Sequence, residues 1–271
     1  MLDDVVVEFV EVKTSGDRGA HAGDKSRWVK EIEEALLDGR ADLAVHSAKD
    51  VPGELPDGLS IVGVPPRADP RDAVCGAPGL SAIPEGAVVG TSSLRRRSQL
   101  LALRPDLVIE DMRGNVDTRL RKLRDREYDA IVLAKAGLER LGLDDGEPVD
   151  SPALIPAPGQ GCLALEARAD HDVAVALAAR MTDRAALVEL TAERAVVAAL
   201  DATCRTPVGA CARTDGSRLV IEGYVGLPDG SAWIRDRLDA EADDPSALGR
   251  ELADRLLAAG AGDILARAEA A

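Results

Sequence analysis

Aromatic residues are scarce: one Phe, two Trp and two Tyr in 271 positions. A protein that binds single strands by stacking bases on aromatic rings is therefore not expected. Net positive charge is missing too. The formal charge is −15, which argues against general affinity for nucleic acid or anionic membranes. Only four cysteines occur, Cys75, Cys162, Cys204 and Cys211. None forms C-x-x-C, and none has a His at metal-ligand spacing, so neither a disulfide scaffold nor a zinc site is indicated. No apolar run approaches the ~20 residues that span a bilayer. The opening, with Asp3 and Asp4 beside a short apolar run, does not read as a signal peptide. A reduced cytoplasmic compartment is the expectation.

What is present is a chain long enough for two or three domains, 46% hydrophobic. Its cores must be built from Ala, Val, Leu and Ile. Residues 5–12 (VVVEFVEV) alternate as a strand does, and 14–25 read as a polar loop. Helical spacing at Trp28, Ile32, Ala35 and Leu36 ends at Gly39. Short strands are expected at 41–46 and 59–64, the second closed by Pro65 and Pro66.

From about 72 to 141 the pattern alternates. Apolar runs at 87–90, 107–110 and 129–133 each precede a helical pattern, starting near Ser93, Asn115 and Lys135. This predicts βαβ units on a parallel sheet. Four prolines and two glycines in 148–161 mark a hinge. Beyond it come a strand at 162–167, helices near 172–180 and 185–200, strands at 218–226 and 232–238, and a helix at 246–259. That last part is α+β.

Ligands of open α/β sheets bind where strands give way to helix N-termini. Three polar segments fall at such points: 46–52 (HSAKDVP), 90–97 (GTSSLRRR) and 111–119 (DMRGNVDTR). Asp50, beside Lys49 at a strand end, can stabilise positive charge on a substrate; the same residues also read as a surface turn with a local ion pair. Ser93 and its neighbours suit an anion at a helix start. Arginine forks grip carboxylate or phosphate in pairs of hydrogen bonds, and Arg95 and Arg96 are expected to function before Arg97. Between Thr91 and Arg126 stand ten basic and five acidic residues. That island reads either as a site for an anionic ligand or as solvated helix faces. Cys204 stands in a loop beside Arg205, which favours a thiolate; an inert small residue is the other reading. His46 reads as structural and His171 as exposed.

Taken in order, HSAKDVP, GTSSLRRRSQL, RGNVDTRL, DAIVLAKAGLERLGL (129–143), PAPGQG (156–161), TAERA (191–195) and CRTPVGA (204–210) closely resemble the porphobilinogen deaminase family. The resemblance implies two periplasmic-binding-protein-like (type II) α/β domains joined by hinges, plus a small α+β C-terminal domain. The boundaries would be 1–65 with 157–181, 66–156, and 182–271. It implies a hydroxymethylbilane synthase that condenses four porphobilinogen molecules with release of ammonia, primed on a dipyrromethane held by a thioether. Cys204 matches the thioether cysteine. Asp50 matches the catalytic aspartate that binds pyrrole N–H groups and stabilises a cationic, azafulvene-like species. Lys49, Thr91, Ser93, Arg95, Arg96 and Arg113 match the residues that hold the cofactor. Ser47, Arg119 and Gln160 match the substrate side of the cleft. Lys25 and Trp28 match a loop and an aromatic edge near the substrate, where the family more often has Phe. A monomer acting on a small molecule, with no metal, no nucleic acid and no membrane, is implied as well.

The family usually opens with a strand ending in Arg-x-Ser and a long helix, roughly thirty residues as such units go. This sequence starts at the family's second strand. The expectation is a first domain short of a central strand, a cleft without that arginine and serine, and impaired turnover. Two non-enzymatic readings share the two-domain architecture. A solute-binding protein needs no cofactor cysteine and normally carries a signal peptide. A ligand-sensing domain would bind reversibly, without a covalent chromophore.

Overall fold

A computed structural model of the chain describes residues 5–12, 26–203 and 206–270. Three sheets organise it. The first takes β1 (Ala44–Ser47), β2 (Leu59–Gly63) and β8 (Leu163–Arg168) in the order β1-β8-β2, both pairs antiparallel. Helices α1 (Ser26–Leu37) and α5 (Asp172–Met181) pack on β2 and β8. Leu36, Ala44 and Leu59 form one small core there.

The second sheet runs β5-β4-β6-β3-β7, from β3 (Asp72–Cys75), β4 (Val88–Gly90), β5 (Val108–Glu110), β6 (Ala130–Ala134) and β7 (Glu147–Val149). Strands β4, β5 and β6 are parallel, as the βαβ pattern predicts. Strand β3, however, enters antiparallel to β6 and β7, so the sheet is mixed. All four β3 side chains are buried, and a run without alternation gives no strand signal of its own. Helices α2 (Leu94–Leu103), α3 (Val116–Arg124) and α4 (Lys135–Arg140) follow β4, β5 and β6. The side chains of Ser93 and Asn115 cap α2 and α3, accepting from the third N–H of each helix. These are the starts the sequence placed there.

The third sheet is an antiparallel meander of β9 (Val208–Asp215), β10 (Arg218–Gly226) and β11 (Trp233–Glu241). Helices α6 (Arg184–Ala199), α7 (Pro245–Ala258) and α8 (Ala261–Glu269) cover it. The sequence reading did not anticipate α8.

Residues 5–12 form no strand. Val6 and Phe9 are almost fully exposed, and the segment joins none of the three sheets. Alternation gives a segment two faces but supplies no ladder partner. The loop expected at 14–25 lies outside the described residues. His46, expected to be structural, is buried with Nε2 2.8 Å from Glu166 Oε2. His171 is half-buried rather than exposed; it caps α5 and lies 2.9 Å from Asp42.

Two segments cross between the first and second sheets, 64–71 and 150–162. They run side by side, with Ala68 N donating to Gly161 O at 3.2 Å. Gly161 has φ +88, and a Cβ there would meet Ala68 O at 2.4 Å. Only glycine accepts both that backbone and that contact.

Candidate active site

Strand β1 runs straight into a 3-10 turn, Ala48–Asp50. Pro52 keeps that turn from extending. The PAPGQG loop backs it: Gly159, at φ +73, would place a Cβ 2.9 Å from the Ala48 carbonyl carbon. Lys49 Nζ donates to Gln160 Oε1 at 3.3 Å. Gln160 in turn donates Nε2 to Pro70 O at 2.8 Å and to Asp72 Oδ1 at 2.9 Å.

Asp72, fully buried on β3, is the hub on the other side. Arg95 reaches its Oδ2 with Nη1 at 2.7 Å and its Oδ1 with Nη2 at 3.2 Å. Arg96 gives Oδ1 both Nε, at 3.0 Å, and Nη2, at 2.8 Å, and sends Nη1 to Val132 O. Burial alone would push the Asp72 carboxyl up. The two guanidiniums outweigh it and hold the group well below the usual carboxylate range. Arg95 and Arg96 are thus buried pillars, with their forks turned largely inward.

In front of this network lies a cavity of about 490 Å³. Four expected residues line it: Lys49, Asp50, Ser93 and Arg95. Arg194, Thr203 and Thr206, which the sequence reading did not single out, line it too. Arg95 Nε is buried and has no hydrogen-bond acceptor among the described residues. Gln160 and Arg96 stand one layer behind. Thr91, expected in the cleft, is buried, its hydroxyl accepting from Ser93 N. Ser47 lies beside the turn, outside the lining. Arg113 is exposed, and Arg119 Nε donates to Gly114 O at 2.7 Å. Burial and then the nearby charge of Arg96 depress the Arg119 pKa. Arg119 and Arg194 form no ion pair among the described residues. Lys25, the Trp28 side chain and Cys204 lie outside the described residues.

Asp50, half-buried, thus lines one cavity with Lys49, Arg95 and Arg194. The arrangement is that of a small-molecule pocket with cationic side chains in its wall. The chain belongs to the porphobilinogen deaminase family. The model of the porphobilinogen deaminase dipyromethane cofactor binding domain matches residues 1–176, and that of the C-terminal domain matches 187–258. The porphobilinogen deaminase of Roseiflexus sp. is 53% identical over 92% of this chain and 84% of its own length. That of Thermus thermophilus is 48% identical over 94% and 87%, and that of Brevibacillus brevis 46% over 96% and 86%.

Similar solved structures include YhfZ from Shigella flexneri, 21% identical, with a TM-score of 0.31 over 68% of this chain and 82% of its own. The periplasmic VFT2 domain of BvgS from Bordetella pertussis is 17% identical, with a TM-score of 0.33 over 56% and 66%. Likeness at this level says nothing about ligand. Among the described residues no helix is long and apolar enough to cross a membrane.

Proposed function

We propose that Asp50 is the catalytic carboxylate of this hydroxymethylbilane synthase. The family match carries the reaction: four porphobilinogens are joined head to tail on a covalently held dipyrromethane, with one ammonia released at each step. The family match leaves the solute-binding and ligand-sensing readings without support. The observation that supports the site is the cavity shared by Asp50, Lys49, Arg95 and the two threonines that flank Cys204.

Those residues fit the cofactor. Thr203 and Thr206, which bracket Cys204 in the sequence, line the cavity together with Lys49 and Arg95, cations suited to the cofactor's carboxylates. Cys75, Cys162 and Cys211 are buried in cores, which leaves Cys204 for the thioether. The dipyrromethane, when bound, supplies the pyrrole terminus that the first substrate extends.

The protein's own groups do the rest. Asp50 accepts a pyrrole N–H and stabilises the cation left when the substrate loses ammonia; fixed charge of this kind is worth about 10²–10³ in rate. Lys49, Arg95 and Ser93 hold carboxylates, with Arg119, Arg113 and Ser47 further along the cleft. Arg96, Gln160 and Thr91 support them from behind, and Lys25 and Trp28 complete the substrate side. The division at 1–65 with 157–181, 66–156 and 182–271 belongs to the same proposal, supported by separate main cores in the second and third parts, while Ala186 and Leu190 of the third share a core with the first. So does a cytoplasmic monomer.

Asp50→Asn, isosteric and neutral, tests the reading. Ammonia release should fall by at least about 100-fold, with porphobilinogen KM little changed; near-normal release removes Asp50 from the mechanism. Cys204→Ala should abolish both the added mass of the dipyrrole and the Ehrlich colour.

A further inference from the structure

Arg194 lies in the Ala-rich helix α6. Its Nη2 donates to two backbone carbonyls, Pro52 O and Gly53 O, both at 2.8 Å. These are the residues that leave the Asp50 turn, and Arg194 and Asp50 line the same cavity. Val197, one turn along the helix, approaches Gly53 as well.

The preceding residue, Glu193, ties the same helix in another direction. It accepts from Gly159 N at 2.6 Å, from Ala212 N at 2.7 Å and from Arg67. Helix α6 is therefore fastened at consecutive residues to the carboxylate turn and to the crossing segments. It ends at Ala199, and the loop of Thr203, Cys204 and Thr206 follows. From Arg194 to Ala199 the helix is a rigid strut about 7.5 Å long.

We propose that Arg194 is a positioning residue that fixes the Asp50 turn relative to the loop of Cys204. The proposal rests on the reading of Asp50 as the catalytic carboxylate. The PAPGQG loop backs the turn on one side, through Gly159 and the Lys49–Gln160 hydrogen bond. Two hydrogen bonds from one cationic donor hold the residues that leave it, Pro52 and Gly53, on the side of α6. A misplacement of about 1 Å at a reacting centre can cost about 100-fold in rate.

The test uses the holoenzyme. Arg194→Ala should lower kcat about 10- to 100-fold and leave porphobilinogen KM within about threefold. The cycle with Asp50→Glu decides how it acts. If Arg194 works through the turn, the kcat penalty of Asp50→Glu shrinks at least about fivefold once Arg194 is Ala. Penalties that simply multiply overturn the proposal. So does a raised KM at unchanged kcat, which would make Arg194 a direct ligand of substrate carboxylates.

If Arg194→Ala does not fold, Arg194→Lys decides alone: reduced kcat at normal KM supports the proposal, and wild-type kcat overturns it. An active Asp50→Asn would mark failure of the Asp50 reading. An inactive Asp50→Asn with multiplying penalties would mark failure of the Arg194 inference alone.

Discussion

Arg67 grips Glu193 with both amino groups, Nη1 2.7 Å from Oε1 and Nη2 3.2 Å from Oε2. The same guanidinium also donates to Gln160 O and Ala212 O. One side chain on the 64–71 crossing thus ties the PAPGQG loop, α6 and β9 together at the junction of the three sheets.

Arg67→Ala should therefore destabilise the protein by about 3–5 kcal/mol, because Glu193 would keep a buried charge without its counter-ion. Burial already pushes the Glu193 carboxyl above its ordinary value, while Arg67 and the amides of Ala212 and Gly159 pull it back. Without Arg67 it rises further. A raised folded pKa makes ionised Glu193 a cost that grows as pH climbs above the unfolded value, about 4.3. The deficit of Arg67→Ala against wild type, followed by thermal melts, should therefore shrink between pH 7 and pH 5. Adding Glu193→Gln should recover part of the loss at pH 7. A deficit that does not change with pH would count against the account.

Asp72 works with the opposite sign. Its folded pKa is depressed, so its contribution is complete above the unfolded value of about 3.9 and is lost as pH falls through the folded one. Asp72→Asn keeps the shape but leaves Arg95 and Arg96 buried without a counter-charge. The expected loss at pH 7 is about 3–5 kcal/mol, on the order of 10 °C in melting temperature. The gap to wild type should narrow below about pH 4, where wild-type Asp72 begins to lose its advantage. Calorimetry at pH 7 and pH 3.5 measures both.

Local signals in the sequence were readable. Ser93 and Asn115 announced helix starts because a cap acts within three residues, and both cap their helices. The turn of Asp50 was readable because a strand, a charged pair and a proline follow in order. Long-range partners were not. Asp72 looks like a turn residue between Pro70 and Val74, and nothing near it says that arginines 23 and 24 positions on will close around it. Arg194 has the same difficulty, since its acceptors lie more than 140 positions away. Residues 5–12 erred the other way: alternation describes a face, and the ladder that would use it is not built. The exchange of roles between Arg95, which lines the cavity, and Arg96, which stands behind it, depends on helix rotation that an RRR run does not reveal.

Thiol chemistry should separate the cysteines. Burial pushes the Cys75 thiol up to about 11 and those of Cys162 and Cys211 up to about 12. At pH 7.5 fewer than about one in a thousand of these thiols is ionised, and only the thiolate reacts. Native protein exposed to iodoacetamide at pH 7.5 should leave all three unmodified over a time that labels each of them in urea. Rapid native alkylation of Cys162 or Cys211, read by peptide mass, would contradict the packing of the junction they occupy.

Gly161→Ala should be among the most damaging single-methyl changes in the chain. The new Cβ would sit 2.4 Å from the Ala68 carbonyl oxygen and 3.2 Å from Pro70 Cα, atoms of the backbone rather than of a movable side chain. The φ of +88 adds about 1–2 kcal/mol of left-handed strain for any residue with a Cβ. The crossing cannot shift freely to relieve the contact. Gly161 O accepts from Ala68 N and from Arg140 Nη2, and its neighbour Gln160 joins Lys49 to Asp72. Any relaxation must therefore move the support of the Asp50 turn. The expected result is a fall in melting temperature together with a fall in kcat, whereas Gly142→Ala, with an open position at a similar φ, should lose stability by strain alone and keep its kcat. Equal effects at the two glycines would show that the crossing is not the rigid support its contacts describe.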